Sequence, residues 1–87
     1  MVKVKYGNIY RSSFGKKEER IAAKDLSELL DKIEDRYKGK PLADKVKKYA
    51  MIMMNNKIYL NNYLKEDIEQ KLTAKDEILI TEIIGGG

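Results

Sequence analysis

The sequence predicts an α+β domain in which one main helix packs across a mixed sheet of four or five strands. Three stretches predict it: an alternating apolar–polar run at the N-terminus, a capped amphipathic stretch in the first half, and an apolar run that ends in three glycines. With 87 residues the chain has room for one core. Its charges are mixed along the length rather than grouped in blocks, which argues against disorder.

The first two strands are predicted to form a hairpin. Alternation over Val2–Tyr6 has the period of a half-buried strand, with its apolar side chains facing inward. Gly7 and Asn8 then predict a bulge or bend, and residues 12–15 predict a turn. A second strand over residues 18–23 would complete an antiparallel pair.

The main helix has the clearest local signals. Asp25 and Glu28 have the spacing of a capping box, in which side-chain carboxylates accept hydrogen bonds from the free backbone N–H groups at the start of the helix. Gly39 predicts the C-terminal stop. One face of the helix carries its apolar side chains at helical spacing: Leu26, Leu29, Leu30, Ile33 and Tyr37.

The second half is predicted to complete the sheet. After Pro41, residues 42–48 predict a short helical segment, and the apolar run 50–54 with residues 58–60 predicts a hairpin turning at Asn55-Asn56. The four methionines are expected to fill the core. Residues 61–72 are interpreted as a loop with a short helical turn.

A turn over residues 73–76 precedes the last strand, which is predicted to place Ile78 and Ile80 against the helix. A helical crossover would leave the first and last strands parallel and central. This order of elements is the β-grasp architecture of ubiquitin-like proteins. The predicted domain covers residues 1–84, followed by a flexible glycine tail over residues 85–87.

Composition excludes several functions. The chain has no cysteine and no histidine, so thiol nucleophiles, thiolate metal sites and Ser-His or Cys-His constellations are absent. Neighbouring acids such as Glu18 and Glu19 do not form an acid–base pair, so no metal, no bound cofactor and no intrinsic catalysis are predicted. The N-terminus lacks the pattern of a signal peptide, and the apolar runs are too short to span a bilayer. We therefore expect a cytoplasmic protein.

The terminal glycines are the main functional signal. Because glycine has no side chain and follows most backbone paths, Gly85 and Gly86 suit threading through a narrow cleft. They would present the carboxylate of Gly87 to the active site of another enzyme. Frayed ends also contain glycine, so the tail needs support from the rest of the chain.

The chain resembles the ubiquitin-like sulfur carriers, such as the thiamine sulfur carrier and particularly the small subunit of molybdopterin synthase and its archaeal relatives. Length and element order are similar, and Met54-Asn55-Asn56-Lys57-Ile58 is similar to the family's apolar–Asn–turn hairpin. Leu72, then Asp76-Glu77-Ile78, a strand and the glycines resemble the family's Leu, Gly-Asp-Glu-Val, strand and Gly-Gly ending. Lys75 departs from the family's glycine, and Thr81-Glu82-Ile83-Ile84 departs from its aromatic- and proline-containing segment.

The resemblance implies a carrier rather than an enzyme. A ubiquitin-activating-type adenylating enzyme, using ATP and Mg²⁺, would activate the Gly87 carboxylate, and sulfur donation would give a C-terminal thiocarboxylate. The partner that receives the sulfur would be a molybdopterin synthase large subunit or another acceptor enzyme. The acceptor stays open among a pterin dithiolene, a thiazole and a tRNA thiouridine.

The last strand is also the predicted docking element. If Ile78 and Ile80 face the helix, then Leu79, Thr81 and Ile83 lie on the opposite face of that strand. This face forms an exposed docking patch with nearby methionines, or else it packs against adjacent strands.

Two other functions compete with sulfur transfer. A protein modifier would join Gly87 to target lysines through the same activation. A small nucleic-acid-binding module would use the basic balance of the chain, +4, with tyrosines and a group of N-terminal lysines: Lys3, Lys5, Lys16 and Lys17. The spread of lysines among 14 acidic residues favours a solvated surface over that module.

Overall fold

The computed structural model describes residues 1–55, 57–59 and 71–82. Five strands form a single sheet in the order β2-β1-β5-β3-β4. The strands are β1 (Val2–Tyr6), β2 (Glu18–Ile21), β3 (Met51–Met54), β4 (Lys57–Tyr59) and β5 (Glu77–Thr81). The helices are α1 (Asn8–Phe14), α2 (Leu26–Arg36) and α3 (Val46–Tyr49), with a 3₁₀ turn over Ala43–Lys45 before α3.

The first and last strands are parallel and neighbours near the middle of the sheet, as predicted. Val4 is in register with Ile78, and Tyr6 with Ile80, while the other strand pairs are antiparallel. Both pairs face the helix side, where Val4, Ile78 and Ile80 are fully buried. The mixed β-grasp sheet expected from the sequence is therefore confirmed.

Helix α2 covers the inner face of this sheet. The Asp25 carboxylate accepts a hydrogen bond from the Glu28 N–H at 2.8 Å, which confirms the predicted cap. Glu28 in turn accepts from the Lys24 N–H at 2.9 Å, one residue before the cap itself. The helix ends at Arg36, and Gly39 follows in the next turn with a φ of +90°. All five side chains predicted to form its apolar face are buried.

The segment between the first two strands differs from the prediction. The sequence indicated a bend and a turn there, but residues 8–14 form the helix α1. Tyr10 and Phe14, four residues apart, are buried on one side of it. Phe14 stacks on Tyr37 of α2 with ring centroids 4.2 Å apart. Tertiary packing therefore stabilises a helix that Asn8 and the serines favour only weakly.

The β3–β4 hairpin turns after Asn55, whose φ of +51° confirms the left-handed position expected for an asparagine. The prediction that the methionines fill the core holds for Met54, whereas Met51 and Met53 are half-buried and Met1 is exposed. Asn56, Leu60 and residues 61–70 of the loop predicted over residues 61–72 lie outside the described residues. At the end of that loop, Lys71 forms an isolated bridge with Asp25, and Leu72 is buried.

A hydrogen-bonded turn leads into β5. The Asp76 carboxylate accepts from the Thr73 N–H at 2.7 Å and from the Asn55 side-chain amide at 2.9 Å. These bonds lower the pKa of Asp76, the Asn55 bond most. The start of β5 is thereby tied to the β3–β4 turn, and the predicted turn over residues 73–76 is confirmed.

Candidate functional site

An apolar patch lies on the outer face of the sheet, opposite α2. Leu79 of β5 is in register with Met53 of β3, and Met53 with Ile58 of β4. Leu79 and Met53 are half-buried, and Ile58 is 57% exposed. Met51, also half-buried, is the next outward residue along β3. We call these four residues the outer patch, a run of apolar side chains across three strands that no helix among the described elements covers.

Ion pairs border the outer patch on the β1 and β2 side. Lys5, in register with Leu79, lies 2.9 Å from the Glu77 carboxylate. Lys3 lies 3.3 Å from that of Glu18. The hydrogen bond and charge of Glu77 raise the pKa of Lys5, and Lys5 lowers the pKa of Glu77 in return. An apolar centre with a charged border is the usual composition of a protein interface.

The predicted docking residues have different surroundings. Leu79 lies on the outer face as expected and is partly exposed. Thr81 lies on the same face but is only 5% exposed, because its side chain lies against the backbone of Gly7. Thr81 is therefore unavailable for partner contact in the free chain. Ile83 and the three glycines, Gly85, Gly86 and Gly87, lie outside the described residues, as does the predicted domain boundary at residue 84.

A buried carboxylate on the inner side was missed by the sequence reading. Glu19 is in register with Val4, and its side chain is 5% exposed. It accepts a hydrogen bond from the Tyr6 hydroxyl at 2.7 Å and others from the Tyr37 hydroxyl and the Arg36 guanidinium. The alternation of β2 could have revealed it, because Ile21 faces inward and Glu19 precedes it by two residues.

The chemistry of this cluster is structural. Burial opposes ionisation of Glu19, but the bonds from Tyr37, Tyr6 and Arg36 outweigh it and lower its pKa. Burial, reinforced by the Glu19 bond, raises the pKa of Tyr37 to about 12. A carboxylate held ionised and two phenols held neutral have no proton to exchange near neutral pH. The cluster therefore joins β1, β2 and α2 and does not form an acid–base site.

The described part of the chain gives little support to nucleic-acid binding, a metal site or a membrane span. Lys3 and Lys5 are ion-paired, and Tyr6, Tyr10 and Tyr37 are buried, so none of these tyrosines offers a stacking platform to a nucleic acid. No group of His, Cys, Asp and Glu within the described ranges is placed to hold a metal ion. Nor does any helix in those ranges have the length and apolar character needed to cross a membrane.

A surface concavity of about 610 Å³ lies along α2, on the opposite side of the sheet from the outer patch. Its lining is charged and includes Asp31, Asp35 and Lys38. It is open to solvent and lacks the apolar walls typical of a small-molecule site. The outer patch is therefore the stronger candidate for a contact surface.

Comparisons with known structures show the same fold along nearly the whole chain. The solution structure of small archaeal modifier protein 1 from Methanosarcina acetivorans is 24% identical, with a TM-score of 0.75 over 99% of this chain and 95% of that one. A chain in the crystal structure of the Amycolatopsis orientalis BexX/CysO complex is 18% identical, with a TM-score of 0.73 over 100% of both.

A third similar structure is the complex of subunits 1 and 2 of molybdopterin-converting factor from Helicobacter pylori. One of its chains is 20% identical, with a TM-score of 0.65 over 99% of this chain and 97% of that one. No protein-family model and no curated protein matches the sequence. The structural likenesses show that the chain has the β-grasp fold that the sequence predicted.

Proposed function

We propose that this chain is a sulfur carrier whose Gly87 carboxylate is adenylated and then converted to a thiocarboxylate. One observation carries the proposal: the glycine run begins at Gly85, only four residues after Thr81 ends β5, the strand that contributes Leu79 to the outer patch. A docking surface and a side-chain-free terminal segment are thus close together in the sequence. The similar structures support the proposal, since two of the three are complexes between two proteins.

Activation of the carboxylate is the first step. A carboxylate is a poor electrophile, so one of its oxygens attacks the α-phosphorus of ATP and pyrophosphate leaves, forming an acyl adenylate on Gly87. Hydrosulfide then attacks the carbonyl carbon, the C–O bond to AMP breaks, and a proton is released. The product is a thiocarboxylate, with no net oxidation or reduction. The partner enzyme supplies Mg²⁺ and the catalytic groups, so this chain acts as a substrate and not as an enzyme.

The outer patch would contribute binding to this sequence of steps. When Leu79, Met53 and Ile58 dock on the activating enzyme, the Gly87 carboxylate reacts as if it were in the same molecule, at a high effective concentration. The same patch would later dock on the acceptor enzyme. Reuse of one surface fits apolar contacts that include methionines, because their flexible side chains adapt to different partners.

The test is the intact mass of the chain after incubation with a ubiquitin-activating-type adenylating enzyme from the same organism, ATP–Mg²⁺ and sulfide. We expect a gain equal to the exchange of one oxygen for sulfur. A chain lacking Gly86 and Gly87 is the control and should stay unchanged. Absence of both adenylate and thiocarboxylate on the full chain, with an enzyme shown to adenylate another carrier, would refute the proposal.

A protein modifier is the second candidate, supported by the fold shared with small archaeal modifier protein 1. Here the acyl adenylate of Gly87 would end in an amide bond with the amino group of a target lysine. Trypsin would then leave residues 76–87 attached to that lysine, because Lys75 is the last cleavage site before the tail. Mass spectrometry of cell lysates for this branched peptide separates the two functions.

A further inference from the structure

Gly7 joins the end of β5 to the start of α1. Its N–H donates to the Ile80 carbonyl at 2.9 Å, which extends the parallel pairing of β1 and β5 by one residue. Its carbonyl accepts from the Tyr10 N–H at 3.0 Å, in the first turn of α1. One residue therefore connects the last strand to the helix beside it.

The backbone conformation does not explain why this residue is glycine. Gly7 has φ −100° and ψ 152°, an extended conformation open to any residue. It occupies the N-cap of α1, where Ser, Thr, Asp or Asn would add a side-chain hydrogen bond that is missing here. A serine or aspartate would suit both the conformation and the cap, so the reason must lie in the surroundings.

The reason is the neighbouring side chain of Thr81. A Cβ on residue 7 would lie 2.6 Å from the Thr81 Oγ1, closer than non-bonded atoms approach, and 3.0 Å from the Thr81 Cβ, a tight contact. The register of β1 and β5 places both residues side by side on the outer face. Glycine at position 7 thus allows Thr81 to be only 5% exposed on the same face where Leu79 is half-buried.

Gly7 therefore lies against the last two residues of β5, Ile80 and Thr81. Helix α1 begins at the residue after Gly7, and Tyr10 in its first turn has a raised pKa, mainly because it is buried and also because of the charge of Glu82. Residues 83–87 continue from this point.

We propose that Gly7 and Thr81 are positioning residues for the terminal segment, forming a seat that holds the end of β5 in place. Their role in the reaction rests on the proposed carrier function. The Gly87 carboxylate can lie at most about 17 Å from Glu82, five residues earlier. If Ile80 and Thr81 separated from Gly7, the linker between the outer patch and the carboxylate would lengthen. The effective concentration of the carboxylate at a docked active site would then fall.

The first test is amide hydrogen exchange in Gly7→Ala. We expect the amide of residue 7, which bonds to Ile80, to exchange about tenfold faster or more, because the added methyl group pushes Thr81 away. The Leu29 amide in the first turn of α2, bonded to the carbonyl of the N-cap residue Asp25, is the internal reference and should change little. An equal rise at both amides would mean that the contact supports the whole domain, and would overturn the proposal.

Rescue and a matched control make the test specific. Thr81→Ala removes the Oγ1 at 2.6 Å and keeps the Cβ at 3.0 Å, a contact that a shift of a few tenths of an ångström relieves. The double variant Gly7→Ala, Thr81→Ala should therefore restore most of the slow exchange at residue 7. Gly15→Ala changes the other end of α1, where φ is +73° and nothing lies within 4 Å of an added Cβ. Thr81→Ala should not rescue the Gly15 variant. Fast exchange that persists in the double variant would contradict the seat.

The second test is the kinetics of adenylation by the same activating enzyme. With the outer patch intact, Gly7→Ala should lower kcat severalfold and leave KM unchanged, and the double variant should recover the rate. Wild-type kcat in folded Gly7→Ala would remove the role in the reaction. If the wild-type chain is not adenylated at all, the carrier function fails, while the exchange experiment still decides whether the seat exists.

Discussion

The two faces of the sheet come from the same strands but have opposite surroundings. On the inner face Val4, Ile52 and Ile80 are fully buried beneath the helices. On the outer face Leu79 is half-buried and Ile58 is 57% exposed. The inner side chains are buried by folding itself, whereas the outer side chains keep apolar surface that a partner could bury. We therefore expect apolar residues one position apart in β5 to have different roles: folding for Ile80 and recognition for Leu79.

Charged groups differ between the faces in the same way. The inner carboxylate of Glu19 is enclosed by the phenols of Tyr6 and Tyr37 and by the Arg36 guanidinium. Loss of one of these partners would leave a buried polar group without its hydrogen bond. The outer pair, Lys5 and Glu77, is solvated, and water replaces either partner at little cost. Stability should thus depend on the inner charge and scarcely on the outer ones.

The largest loss of stability is expected from Ile80→Ala. Truncation at a fully buried site should lower the free energy of unfolding by about 2–5 kcal/mol, through lost transfer energy and the cavity left behind. Leu79→Ala on the same strand is the matched control and should cost about half of that or less, because Leu79 is already partly hydrated. Urea unfolding measures both, and equal losses would remove the distinction between the faces.

The next largest loss of stability is expected from Glu19→Gln. At neutral pH we expect a loss of about 1–3 kcal/mol, since charge-assisted bonds to the phenols and Arg36 are weakened. The folded-state pKa of Glu19 is below its ordinary 4.5, so its contribution is complete above that pH and is lost as the pH falls through the folded value. The gap between wild type and variant should therefore narrow below about pH 4.5 in urea titrations. A gap that widens towards acid would contradict this linkage.

Leu79→Thr should change stability less, by under about 1 kcal/mol, because threonine keeps the β-propensity of the site. Binding to the activating enzyme should weaken about tenfold or more, since a central apolar contact is lost. Calorimetric titration together with a thermal melt separates the two effects. A variant that melts much earlier but binds normally would place Leu79 in the core and not in the interface.

Gly86→Val should have the smallest effect on the fold, leaving the melting temperature unchanged. A branched side chain at this position should obstruct a narrow channel and abolish adenylation, as measured by intact mass. Gly86→Ala is the graded control, with a smaller side chain and a partial loss. Adenylation of the valine variant at the wild-type rate would remove the steric reason for the glycines.

Local sequence signals were sufficient for most of the fold. Alternation in β1, the cap at Asp25 and the apolar spacing of α2 each depend on neighbours within a few residues. These local signals did not predict helix α1, because its stability comes from Phe14 packing on Tyr37, a contact between distant parts of the chain. Only the spacing of Tyr10 and Phe14 in the sequence indicated it.

The candidate site was predictable in part for the same reason. The outward position of Leu79 follows from strand period alone. The burial of Thr81 does not, because it depends on the backbone of Gly7, which is adjacent in space and remote in sequence. Glu19 likewise needs Tyr6, Tyr37 and Arg36 from other elements before its burial makes sense. Contacts between elements that are distant in the sequence could therefore not be predicted from local patterns.

The most direct test of the central claim is the rate of adenylation against carrier concentration for wild type, Leu79→Thr and Gly86→Val. If the outer patch docks and Gly87 reacts, the Leu79 variant should show a raised KM with nearly normal kcat, and the Gly86 variant a collapsed kcat. The two defects would then assign recognition to the sheet and chemistry to the terminal glycines. Normal KM in the first variant and normal kcat in the second would contradict the account.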